Sequence, residues 1–221
     1  MGSPCRFALV LGIAALLVSQ PLFAFDSPLS DEAVRDAYFL GQRHDGSYAG
    51  IMAKYTIELP PPDTGPQISA VTFFTPFALL VQSASQRLNY SAQQAALEHR
   101  KQKETVEIIV IIRFTPSYPA VIRKPTGSRS DSPDGFTPRA YDFWKDFAVQ
   151  TLVNNKEKFP LSSSGDADIV CGEDGGGCNF IGATLHLEFL ASAFPSDSAT
   201  ILITPPEGGA TSVDFDLTAI R

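Results

Sequence analysis

Apolar residues recur along this chain with two different periods, and the change falls near its middle. After residue 30, Ala33, Val34, Ala37, Tyr38 and Leu40 follow the three- and four-residue spacing of an amphipathic helix. Ser30 is placed to accept its first free amides, Asp31 and Glu32 sit at the positive end of its dipole, and Gly41 is a natural stop. A second helix is expected over residues 47–59, with the β-favouring run Tyr55-Thr56-Ile57 at its end. Residues 60–66, Pro-Pro-Pro-Asp-Thr-Gly-Pro, suit neither helix nor central strand and form the clearest linker in the chain.

Residues 68–74 are β-branched and aromatic, a strand composition. Thr75-Pro76 then has the form of a cap followed by proline at the first helical position, opening a helix over 77–86. Ser91-Ala92-Gln93-Gln94 is a capping box for a helix over 92–103. Residues 105–114 carry the strongest strand signal. Val106, Ile108, Val110, Ile112 and Phe114 line one face, Ile109 and Ile111 the middle of the other, so this strand belongs inside a sheet covered on both sides.

From here the period shortens to two. Residues 116–138 form a long Pro/Ser/Gly excursion carrying Arg123, Lys124 and Arg129 against Asp131 and Asp134. Tyr141, Phe143, Phe147, Val149, Thr151 and Val153 then alternate with mostly polar neighbours, as in a half-buried strand, and Asn154-Asn155-Lys156-Glu157 supplies a turn. Leu185, Leu187 and Phe189 face away from Thr184, His186 and Glu188. Residues 199–204 are a short apolar strand, 205–210 a turn, and Val213, Phe215 and Leu217 alternate with Asp214 and Asp216. The pattern predicts an α+β protein, its N-terminal helices packed on an antiparallel, immunoglobulin-like β-sandwich of about seven strands. Its parts are residues 1–24, a helical segment and linker over 25–66, and the mixed region 67–221 that ends in the sandwich.

The first 24 residues stand outside this pattern. Arg6 precedes a 12-residue apolar run over 7–18, Ser19-Gln20-Pro21 breaks it, and Leu22-Phe23-Ala24 ends on a small residue, as in a secretory signal peptide. The run is too short for a membrane-spanning helix of about 20 residues, and no later segment supplies one. Cleavage after Ala24 removes one cation and moves the formal charge of the 221-residue chain from −7 to −8. That acidic balance, with no basic cluster, argues against nucleic acid as a partner.

Of three cysteines, Cys5 leaves with the leader. Cys171 and Cys178 remain, separated by Gly-Glu-Asp-Gly-Gly-Gly, which lets the chain double back. A disulfide in an oxidising compartment is expected, with a closure gain of about 2–3 kcal/mol. One cysteine pair without a second pair or spaced histidines falls short of a zinc site.

Complete catalytic motifs are missing. Gly46-Ser47-Tyr48-Ala49-Gly50 puts tyrosine where a nucleophile elbow needs serine, and no Ser-x-x-Lys occurs. His99 is expected on an exposed helix face, and His44-Asp45 follows the first helix. The best enzymatic candidate joins His186, Glu188, Asp214 and Asp216: period-two spacing sets each pair on one strand face, where an imidazole and three carboxylates could gather round a divalent cation. The same rows also arise as the wet side of an amphipathic sheet. Asp166, Asp168, Glu173 and Asp174 flank the glycine loop, but Val170 stands where an EF-hand needs a ligand. Trp144, with Tyr141 nearby, is placed either to stack on a ligand or to pack under the 116–138 loop. Asn89-Tyr90-Ser91 fits an N-glycosylation acceptor, which matters only in a eukaryotic secretory pathway. No cofactor is called for. The sequence thus predicts a secreted or periplasmic, non-enzymatic protein that binds a protein or glycan, with a metal-dependent hydrolase using His186, Glu188, Asp214 and Asp216 as the competing function.

Overall fold

The computed structural model describes residues 25–43, 45–123, 136–172 and 177–221. The leader, His44, the charged residues Lys124, Arg129, Asp131 and Asp134, and the acidic pair Glu173 and Asp174 lie outside them.

Helix α1 (Asp31–Gly41) begins where the sequence places it, with the Ser30 hydroxyl accepting from the Ala33 N–H at 3.1 Å. Gly41 is not a stop signal but the last helical residue, buried against helix α3 (Pro76–Gln86): a methyl group there would lie 2.3 Å from the Val81 carbonyl oxygen. Glycine is present because the two helices touch backbone to backbone. The expected helix over 47–59 is shorter. Helix α2 (Gly46–Met52) runs into one 3-10 turn (Ala53–Tyr55), and strand β1 (Thr56–Glu58) follows, because Thr56 and Ile57 pair with Thr72 and Val71 of strand β2 (Gln67–Phe74). The Pro-rich stretch 60–66 therefore joins the two strands of a hairpin. Thr75 caps α3 with Pro76 in its first turn, and both halves of the capping box open helix α4 (Ala92–His99), which ends four residues earlier than expected.

The remaining strands are β3 (Thr105–Arg113), β4 (Val121–Arg123), β5 (Phe136–Pro138), β6 (Ala148–Val153), β7 (Lys156–Lys158), β8 (Ser162–Cys171), β9 (Cys178–Leu190), β10 (Ser198–Thr204) and β11 (Thr211–Asp216). A five-stranded sheet has the order β1-β2-β3-β9-β8 and a four-stranded sheet the order β11-β10-β6-β7, while β4 and β5 form a separate hairpin at the base of the 116–138 excursion. Every pairing is antiparallel. The fold is α+β as expected, with nine strands among the described residues in the two main sheets where about seven were expected.

The sheets share one core. Val106, Ile108, Val110 and Ile112 of β3 are fully buried on its inner face, and Phe73 meets Phe215 of the other sheet at 5.5 Å between ring centroids. β3 is the middle strand of five, the position its two-faced apolar pattern predicts. On its outer side α3 packs across β2 and β3, and a second cluster built from Val34, Ala37, Phe77, Val81 and Ala95 joins the helices. Asn154 and Asn155 both have positive φ, as the two-residue β6–β7 hairpin requires.

Two tethers hold the start of the described chain. Phe25 is buried against Phe73, and Asp26 pairs with Arg221 at 2.7 Å. The Glu104 carboxylate accepts from the Ser27 hydroxyl and the Leu29 N–H, both at 2.6 Å, and lies 3.1 Å from His99 Nε2. His99 is therefore not an exposed bystander, its side chain being only 18% accessible. Among the described residues no helix is long and apolar enough to cross a membrane.

Candidate functional site

Cys171 and Cys178 are joined in a disulfide that closes the tip of the β8–β9 hairpin. The sequence expectation for this pair holds.

The four residues of the competing metal site are not brought together. His186 and Glu188 alternate along β9 with the buried Leu185, Leu187 and Phe189, so they face outward from the five-stranded sheet. Asp214 and Asp216 alternate along β11 with the buried Val213 and Phe215, so they face outward from the other sheet. The sandwich stands between the two pairs, and facing sheets are about 10 Å apart. Equal spacing within a strand reveals the face a residue occupies but not the sheet it belongs to. Each side chain has other partners: His186 Nδ1 is 2.8 Å from Glu107 Oε1, Ser162 donates to Glu188 at 3.1 Å, and Thr200 donates to Asp214 at 2.5 Å. The Thr218 hydroxyl, together with its backbone N–H, holds the Asp216 carboxyl below the usual carboxylate range. Among the described residues no three His, Cys, Asp or Glu side chains converge to hold a metal ion.

The outer face of β3, β9 and β8 forms a shallow groove of about 450 Å³ beside α3, with Leu79 as one wall and Glu107, His186, Glu188, Ser164 and Asp166 on its floor. The Glu107–His186 pair was not legible in the sequence, because nothing local announces that Ile109 of β3 lies opposite His186. Ser164 is the cross-strand neighbour of His186 on the other side. A serine, a histidine and a glutamate thus sit on three adjacent strands, but among the described residues the His186 ring bonds Glu107 and makes no hydrogen bond to Ser164. Asp168 of the former calcium candidates is likewise engaged, by Arg113 and by the Thr184 hydroxyl.

A different surface lies where the sandwich is left open at one side. The alternating strand expected over 141–153 is interrupted by a 3-10 turn (Phe143–Asp146), so only residues 148–153 form β6. The turn buries Phe143 and brings Trp144 over Gly165 of β8, half-buried, with the Lys145 ammonium 5.6 Å from its ring. Trp144 therefore packs one face on β8, while the part of the 116–138 excursion over residues 124–135 lies outside the described residues. Tyr141 remains exposed and touches Phe180 edge-on at 5.1 Å. Beside Trp144 an open cavity of about 280 Å³ reaches between the sheets, lined by Phe147, Val149, Pro160, Leu185 and Leu187.

Large apolar side chains gather along this side. Ten stand exposed among the described residues, and five of them lie on β8, its lead-in or the turn beside it: Phe159, Leu161, Ile169, Val170 and Tyr141. Scattered exposed hydrophobics are ordinary on a protein surface, whereas an accumulation on one edge is a mark of contact with another molecule.

No protein-family model matches the chain, and a comparison with curated proteins gives no match.

Proposed function

We propose that the chain is an exported, non-enzymatic binding protein whose partner is another protein, held along β8 and the open side of the sandwich next to it. The observation that carries this reading is the pair of exposed apolar groups at the two ends of β8, Phe159 and Leu161 before it and Ile169 and Val170 near its tip, on the side of the sandwich where a cavity opens between the sheets. The leader-like sequence over 1–24 and the Cys171–Cys178 disulfide support a secreted or periplasmic setting. A glycan partner has less support than a protein, because the exposed side chains at the ends of β8 are mostly aliphatic, with Phe159 and Tyr141 the exposed aromatic rings beside them. The hydrolase has less support because its four residues diverge.

The test places a photo-reactive residue at Phe159 or Leu161 in the cells that make the protein, with Leu88 as control. Leu88 is 93% exposed and sits between α3 and α4. A discrete protein adduct from 159 or 161 and none from 88 is expected. No adduct, or an equal one from all three positions, overturns the proposal.

A further inference from the structure

β8 is the end strand of its sheet, bonded to β9 on one side and, among the described residues, to no strand on the other. At ten residues it is the longest of the four end strands, against three in β1, three in β7 and six in β11. An end strand presents backbone N–H and C=O groups outward, and proteins guard such edges with shortness, lysine, proline or bulges. β8 has a bulge between Asp168 and Ile169, but from Ser162 to Asp168 it is regular and holds neither lysine nor proline.

Its inward positions are equally telling. Ser163, Gly165 and Ala167 lie opposite the buried Leu187, Leu185 and Ala183, so they face the space between the sheets, and all three are small. The opposing edge strand β7 is too short to close that space, which leaves the cavity beside Trp144 and Pro160. A further strand bonded to β8 would set its inward side chains nearest Ser163 beside this cavity, whose lining is mainly apolar with Lys145 at its side. Its other side chains would stand on the outer face beside Asp166, which is exposed, and within reach of Glu188.

We infer that β8 accepts an extended segment of a partner protein as a sixth strand of the five-stranded sheet, with apolar residues at alternate positions seated in the cavity and basic residues between them facing Asp166. This rests on the reading of the chain as a binding protein. Backbone pairing supplies affinity in such strand addition, and the alternate pockets supply specificity. A second copy of this chain is a poorer occupant: it brings no basic residue between Ser162 and Asp168 to face Asp166, and an antiparallel ladder centred on Asp166, Ala167 or Asp168 sets carboxylates directly opposite one another.

The experiment measures fluorescence anisotropy of short labelled peptides added to the purified, disulfide-bonded protein: one alternating valine and lysine, one alternating valine and glutamate, and the valine–lysine peptide methylated on alternate backbone nitrogens. Saturable binding of the first is expected, with slowed amide exchange in β8 and affinity at least about ten-fold weaker for the other two. Asp166→Lys should reverse the preference between lysine and glutamate peptides, and Ser163→Phe, which fills the cavity, should weaken the first by about ten-fold. Should Ser163→Phe misfold, Asp166→Lys alone decides, since that side chain is exposed. No saturable binding, equal binding of the methylated peptide, or indifference to Asp166→Lys overturns the inference. So does a dimer of the protein that Asp166→Lys dissociates, which would give the edge to a second copy. An adduct at Phe159 without peptide binding defeats strand addition and leaves the binding role intact, whereas absence of both defeats the two together.

Discussion

Trp144 covers Gly165 so closely that a Cβ at residue 165 would stand 2.5 Å from the indole Cδ2. The smallest residue of β8 and the only tryptophan of the chain are thus a matched pair, and the pair forms one wall of the open side of the sandwich. Gly165→Ala has to displace either the ring or the strand, at a cost of about 1–3 kcal/mol typical of overpacking. Since Trp144 is the sole indole fluorophore, urea unfolding followed by its emission reads both effects, and a red-shifted native spectrum is expected. Unchanged emission with unchanged stability would contradict the packing.

Two glycines should respond to alanine with opposite signs. Gly41→Ala drives a methyl group into the Val81 carbonyl, where backbone must move, so a loss of about 1–3 kcal/mol is expected. Gly50 lies inside α2 with nothing within 4 Å of an added Cβ, so Gly50→Ala should gain about 0.5–1 kcal/mol. Denaturation midpoints of the two variants test the pair, and the same sign in both would refute it.

Tyr118 is fully buried, its ring covered by the Arg139 guanidinium at 3.5 Å, and its hydroxyl finds no hydrogen-bond partner among the described residues. Burial pushes the phenol pKa up, Arg139 opposing it. An unpaired buried hydroxyl carries a desolvation cost, so Tyr118→Phe should leave stability unchanged or raise it by up to about 1 kcal/mol. A loss of more than about 1 kcal/mol in thermal unfolding would reveal a partner for the hydroxyl.

Glu104 is the anchor of residues 27–29. Glu104→Ala leaves the Ser27 hydroxyl and the Leu29 N–H without their acceptor, and a loss of about 1–3 kcal/mol is expected. Limited proteolysis should cut the variant near residue 29 before the body of the protein, while the parent resists there. Equal resistance would show that Phe25 and the Asp26–Arg221 pair suffice.

Acid should weaken the fold through exposed carboxyls. Glu98 is held below its ordinary pKa first by the Arg87 guanidinium, Asp142 by the Lys145 ammonium, Asp45 by the Ser47 hydroxyl and Asp216 by the Thr218 hydroxyl. A carboxyl with a lower pKa folded than unfolded binds fewer protons in the native state. Its stabilisation is complete above the unfolded pKa and disappears as pH falls through the folded value. This contribution is therefore intact above about pH 5 and is lost progressively as pH falls from about 4 through the lower folded values, the range to be sampled. Melting temperatures measured across that range should fall, less steeply in Glu98→Gln, and a rise on acidification would contradict the assignment.

Much of the fold was legible because its signals are local. Ser30, Thr75-Pro76 and the Ser91/Gln94 box each mark a helix start within four residues, and β3 and β9 declare their inner faces by alternation. β1 escaped notice because Thr56 and Ile57 are strand only by virtue of β2. β8 escaped for a more instructive reason. Ser163, Gly165 and Ala167 must be small to leave room for Trp144 and the cavity, which erases the apolar half of the alternation that would have announced a strand. The candidate site was hidden for the same reason, since the strand proposed to bind a partner is the one that lacks an apolar face of its own.

The order of strands in the five-stranded sheet also has a temporal meaning. Its middle strand β3 and the next, β9, meet through residues as remote as Glu107 and His186, 79 positions apart. While helices α1, α3 and α4 have their partners close at hand, the sheet they lie on has no finished middle until the chain has been made as far as Leu190. Closing so long a loop is slow relative to local pairing. The five-stranded sheet is therefore completed only after β9 has been made, whereas the helices and β1–β3 can associate earlier.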